Sequence, residues 1–137
     1  MDCVLKSFAY AINVDPQALM LKIGHDGTEI VNPEFEYPYN VRGFNVYEMG
    51  RVLFDLGYAV THIPKNDMCH NAKMPTIKWF NEHIDRVQPY LNQPMYVLHT
   101  NTHVIGVRNG IVLDLENKCT DPRTFEYIGI FIVSKIL

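Results

Sequence analysis

The sequence predicts an α+β domain in which N-terminal helices pack on a mostly antiparallel β-sheet. Three observations predict it. Apolar residues recur at helical spacing in the first quarter of the chain. The second half holds short β-prone runs bounded by turn residues. Two of those runs flank Asn109-Gly110, the strongest short hairpin signal. Helices first and strands later is the order expected of α+β rather than alternating α/β proteins.

The elements follow in order. Val4, Leu5, Phe8, Ala11 and Ile12 share one helical face, which predicts a helix from about Cys3 to Asn13. In "VDPQALMLKIG", Asp15 suits an N-cap, Pro16 the first helical position and Gly24 the stop. "GHDGTEIVNPEFEYPYNVRGF" reads as a long ordered loop, either a wall or lid of a site or a surface excursion held by Phe35, Tyr37 and Tyr39. "NVYEMGRVLFDLG" opens on a capping box, Asn45 with Glu48, and closes at Gly57. "YAVTHIP" reads as a strand and "KNDMCHNAKM" as a loop. "PTIKWFNEHIDRV" reads as a helix with Ile77, Phe80, Ile84 and Val87 on one face. "PMYVLHT" is a strand, "HVIGV", "RNG" and "IVLDL" form the hairpin, and "FEYIGIFIVSKI" is apolar enough to lie inside the sheet.

Composition bounds the function. A chain of 137 residues fits a single domain, 1–137. With 47% hydrophobic and 20% charged residues it has the balance of a soluble globular protein. Net charge is −3 and the basic residues form no stripe, so nucleic acid is not an expected partner. No apolar run has membrane-spanning length and the N-terminus has no signal-peptide pattern, so no membrane partner is expected. Cys3, Cys69 and Cys119 are odd in number and widely spaced, which fits a reducing, cytoplasmic setting better than a disulfide framework. There is no CxxC pair and no HExxH, so a zinc site has no sequence support and no metal is expected; the acyl-transfer chemistry described below needs no cofactor.

The hairpin carries the chemistry. If Asn109 and Gly110 are its turn, Arg108 faces Ile111 and, counting back, His103 lies opposite Glu116. Asp114 is then the diagonal neighbour of His103 on the same face, with Val104 on the other. Opposite residues have Cβ atoms about 5 Å apart and diagonal ones about 7–8 Å. Either carboxylate can reach the imidazole, and distance alone favours Glu116. Such a pair fixes the imidazole tautomer and supports its protonated form. At the other end of the chain Cys3 stands at a helix start, where free N–H groups and the helix dipole favour a thiolate. The same N–H groups can hold an oxyanion. Thiol, imidazole and carboxylate form a working set of parts for acyl transfer. The plainer readings are a small buried thiol at Cys3 and a polar strand start at His103. His25, in the turn "GHDGTE", either lines the cleft beside Cys3 as a substrate-binding residue or caps local backbone. Glu116 is kept as a second carboxylate beside His103 and as a substrate-binding candidate. Cys69 and Cys119 read as structural, and His62, His70, His83 and His99 as incidental.

"DCVLKSFAYAI", "NVYEMGRVLFDLGYAVTHI" and "PMYVLHTNTHVIGVRNGIVLDL", in that order, resemble the papain-like cysteine peptidase superfamily. The resemblance is greatest to its compact bacterial and phage members, such as the domains that trim bacteriocin leaders. It implies a papain-like fold with Cys3 as nucleophile, His103 as base and acid, and Asp114 as the orienting residue. It implies a protein or peptide substrate, cleaved through a thioester. An amidase or acyltransferase uses the same parts, and an inert papain-like binding module is the alternative outside enzymes. Those relatives place a Gln several residues before the nucleophile to complete the oxyanion hole. Met1 and Asp2 stand there in this sequence. The second donor is then one of the side-chain amides Gln17, Gln88, Gln93 and Asn101, or backbone alone, or absent.

Overall fold

The computed structural model describes residues 3–64, 89–100, 102–116, 119–125 and 127–136. The helix expected over 75–87, the loop before it and Gln88 lie outside the described residues. Among them the chain forms α1 (Cys3–Ile12), α2 (Pro16–Ile23), α3 (Val46–Asp55), β1 (Tyr58–Pro64), β2 (Met95–His99), β3 (Val104–Arg108), β4 (Ile111–Leu113) and β5 (Gly129–Lys135). A 3-10 turn spans Pro122–Thr124. The strands form one sheet in the order β1-β5-β2-β3-β4, antiparallel at every pairing. The architecture is α+β, and β5 lies inside the sheet as its apolar sequence requires.

Local signals set the helix boundaries. The Asp15 side chain accepts from Gln17 N, Pro16 opens α2 and Gly24 closes it at φ 90°. Asn45 and Glu48 complete both halves of the capping box on α3. Asn13 stops α1 by taking φ 58°. Asn109 and Gly110 take φ 51° and 81°, the paired left-handed conformation of a two-residue hairpin turn, and Arg108 pairs with Ile111.

The sheet is buried on both faces. Towards the helices, Val97, Val104, Phe131 and Val133 pack with Leu5, Phe8, Leu19, Met49 and Leu53. On the far side, Tyr96, Leu98, Ile105, Val107 and Ile130 pack with Leu91, Cys119 and Tyr127. The alternation Val104, Ile105, Gly106, Val107 along β3 divides these two layers.

α1 lies directly on β3. A Cβ at Gly106 would stand 2.5 Å from the Ser7 carbonyl oxygen, so only glycine admits the helix at this depth. Ser7, itself buried, donates its hydroxyl to Val104 O at 3.3 Å. Ala9 and Ala11 are fully buried on the same helix. At the C-terminal end of α1, Arg108 donates to Tyr10 O at 3.1 Å and to Asn13 Oδ1 at 2.6 Å, and stacks over the Tyr10 ring. A guanidinium there also opposes the negative end of the helix dipole.

Two strands are shorter than expected. β4 ends at Leu113 because Asp114 turns its carboxylate back onto the amides of Glu116 and Cys119. β5 begins at Gly129 rather than near Phe125, because Pro122–Thr124 forms the 3-10 turn. Gly106→Ala is expected to destabilise the fold by about 3 kcal/mol, since backbone rather than a flexible side chain blocks the new methyl. Urea unfolding of both proteins checks this.

Candidate functional site

The ends of several elements enclose one cavity of about 330 Å³. Cys3 and Val4 contribute from the start of α1, and Val46 from the start of α3. His99 and Thr100 contribute from the end of β2, and His103 and Val104 from the start of β3. Phe131 forms part of the lining, and Pro38, Tyr39 and Phe44 bring in the long loop. Cys3 and His103, a hundred positions apart, thus line the same space. The loop is a wall of the site.

His103 is held by Asp114. Its Nε2 stands 2.7 Å from Asp114 Oδ1. The Asp114 side chain is 2% exposed, and its two oxygens also accept from Glu116 N at 2.9 Å and Cys119 N at 3.0 Å. Three N–H contacts fix the carboxyl group in its buried place. Thr100 fixes the other side of His103: its Oγ1 accepts from His103 N at 2.9 Å, and its backbone N donates to His103 O at 2.8 Å. Phe125 meets the ring edge-on at 6.0 Å. Distance along an extended ladder favoured Glu116, and here the structure differs. The ladder stops at Gly106 and Leu113, the chain turns, and Glu116 Oε1 lies 3.8 Å from His103 Nδ1 with half its side chain in water. At that separation it acts on His103 through charge rather than through a hydrogen bond.

Cys119 serves the site from behind. It is buried, its amide holds Asp114 and its Sγ contacts Asp121 O at 3.1 Å. Burial pushes its thiol pKa up. Both described cysteines, Cys3 and Cys119, are free thiols.

His25 does not line this cavity. Its Nδ1 accepts from Gly27 N at 3.0 Å, its Nε2 meets Glu48 Oε1 at 2.6 Å, and its ring stacks on Phe44. Glu48 also accepts from Arg42 at 3.0 Å and from Asn45 N at 3.2 Å. Burial works to raise the Glu48 pKa, but the bonds from His25 and Asn45 and the charge of Arg42 hold it below the ordinary value. His25 is therefore a buckle between the loop and α3, and through Phe44 it supports the cavity wall. Of the amides considered for an oxyanion hole, Gln93 donates to Pro89 O at 3.2 Å and Gln17 lies at the start of α2. Neither lines the cavity, and Gln88 and Asn101 lie outside the described residues.

His62 and His99 are what the sequence reading missed. Their Nε2 atoms stand 2.9 Å apart, and both rings pack on Phe131. The register explains the meeting. His62 pairs with Phe131 on one side of β5, and His99 with Gly129 on the other. Gly129 leaves the space over β5 that the two imidazoles fill. Burial, helped by the neighbouring His62 and opposed by a bond with the Thr100 backbone, pushes His99 down to about 4. No group of three or more metal-ligating side chains occurs among the described residues. No helix among them is long and apolar enough to cross a membrane.

The chain matches no family model, and neither curated proteins nor solved structures gave a match.

Two measurements check the site. Asp114→Ala strands three donors in a buried place and is expected to cost about 3 kcal/mol, while Glu116→Gln changes stability by less than about 0.5 kcal/mol. For His99, the unfolded chain takes up a proton near pH 6.5 and the folded chain only near 4. Stability therefore falls as pH drops through that window, by about 1 kcal/mol once the water-exposed part of the ring is discounted. Urea midpoints across the window should lose this slope in His99→Gln.

Proposed function

We propose that this protein is a papain-like thiol hydrolase that cleaves a peptide or isopeptide bond in a protein or peptide substrate. The observation that carries the reading is the shared cavity, with Cys3 and His103 in its lining and His103 bound through Nε2 to the buried Asp114. The bond to Asp114 leaves Nδ1 as the nitrogen for proton exchange.

The reaction follows from these parts. The Cys3 thiolate attacks the substrate carbonyl carbon, and the carbonyl oxygen takes the negative charge. The unpaired N–H groups of the first turn of α1 stabilise that oxyanion. The tetrahedral intermediate collapses, the C–N bond breaks and imidazolium His103 gives its proton to the leaving amine. A thioester to Cys3 remains. His103 then takes a proton from water, the resulting hydroxide attacks the thioester, and the acid and free thiol are released. Asp114 keeps the ring oriented throughout.

Alkylation with iodoacetamide near neutral pH, mapped by mass spectrometry, tests the nucleophile. Cys3 is expected to react at least about ten-fold faster than a model thiol, with the advantage lost in His103→Ala. Reaction at the model-thiol rate would sink the enzyme reading. An amine-capture assay with mixed peptides then separates hydrolysis from acyl transfer: release of free acid supports hydrolysis, and amide formation with the added amine supports transfer.

A further inference from the structure

The long loop does more than wall the cavity. Its base is held by the Ile30–Val41 bridge, by Arg42 N donating to Glu29 O and by Gly43 N donating to Gly27 O. Within it, Val31 N and Asn32 N donate to Asn40 O, Phe35 N to Asn32 O and Tyr39 N to Glu36 O. The tip is thus internally braced, yet its large side chains face water: Phe35 is 55% exposed, Tyr37 71% and Tyr39 67%. Rings grouped on one ordered segment and withheld from the core mark a contact surface rather than scattered surface apolars.

The charge of this segment is one-sided. Residues 25–44 hold Asp26, Glu29, Glu34 and Glu36 against Arg42 alone, an excess equal to the −3 of the whole chain. Glu29 shares Arg42, at 3.4 Å, with Glu48, whereas Glu34 and Glu36 have no ion-pair partner among the described residues. These two carboxylates and the rings of Phe35 and Tyr39 line one open depression of about 770 Å³. Carboxylates beside aromatic rings suit a Lys or Arg side chain, whose stem covers the rings while its charge meets the acids. Tyr39 lines this depression and also the cavity of Cys3 and His103. A chain seated by a basic residue in the first is therefore led to the second.

We propose that this loop is a docking surface for a basic segment of the substrate polypeptide, with a Lys or Arg side chain held among Glu34, Phe35, Glu36 and Tyr39. The placement of that segment relative to the reacting bond rests on the thiol-hydrolase reading. The binding itself does not.

The test measures binding without turnover. Fluorescein-labelled peptides of alternating Lys and Leu, and their Lys→Ala and Lys→Glu counterparts, are titrated by anisotropy against full-length Cys3→Ala protein. The Lys peptide is expected to bind at least about ten-fold more tightly than the Ala peptide, and to weaken as salt rises to physiological strength. The Glu peptide is expected not to bind. The double reversal Glu34→Lys, Glu36→Lys should abolish the preference for Lys while the thermal midpoint is unchanged, as should Tyr39→Ala for most of the affinity. Equal binding of all three peptides, binding of none, or a Lys preference that survives the reversal would overturn the proposal. So would loop-dependent self-association in sedimentation, which would make a second copy the occupant. Failure here with a hyper-reactive Cys3 leaves the hydrolase reading standing, and the converse result separates the two in the other direction.

Discussion

The site depends on how deeply α1 sinks onto β3. Cys3 and His103 are distant in sequence, and no hydrogen bond or ion pair found between them ties them together. What brings them to one cavity is backbone against backbone, Ser7 over Gly106, with the Ser7 hydroxyl bonded to Val104 O. The contact lies one turn along α1 from Cys3 and three residues along the chain from His103. A lever that short transmits small shifts directly to the cavity. Arg108, bound to Tyr10 O and Asn13 Oδ1, fixes the far end of the same helix and so removes its freedom to pivot about Gly106.

The rest of the arrangement follows from building a site at element ends rather than on a face. Both faces of the sheet are filled by apolar side chains, so polar chemistry has room only where strands stop. His103 precedes the first residue of β3 and shares the far-face parity of Ile105 and Val107, the face on which Asp114 is bonded by the Cys119 amide. Its imidazole is thereby held from behind the sheet while it lines the cavity on the helix side. A position within the strand would have committed the ring to one layer. The turn at Thr100 makes this possible, because it accepts from His103 N and so fixes the backbone just where the strand pattern gives out.

Local chemistry was legible in the sequence wherever the signal and its consequence lie a few residues apart. Asp15, Pro16, Gly24, Asn45 with Glu48, and Asn109-Gly110 act within one turn, and each stands where its local rule puts it. The hairpin count also identified the carboxylates that can face His103. It ranked them by an ideal ladder, however, and could not foresee that Asp114 would end the ladder by bonding to the Glu116 and Cys119 amides. His62 and His99 were illegible for a different reason. Their meeting needs β5, the last strand in the chain, to insert between β1 and β2, and needs a glycine at the one position beneath both rings. Nothing near either histidine carries that information. Glu48 was seen as a helix cap, and its second role, receiving His25 and Arg42, depends on where the loop returns.

The His62–His99 pair bears on how the cavity keeps its shape. His99 lies in the lining of the Cys3 cavity and also in that of a neighbouring groove with Val60, Gly50 and His62. Phe131 is common to both and carries both imidazoles on its ring. The partition between cavity and groove is therefore an aromatic stack rooted in the inner strand β5, not a surface loop. Within this partition His99 stays neutral at physiological pH, because burial holds it near 4. That neutrality matters for the proposed chemistry. A charged His99 beside the cavity would compete with His103 for the thiolate's negative charge, and a neutral one leaves His103 as the histidine in that lining paired with a buried carboxylate.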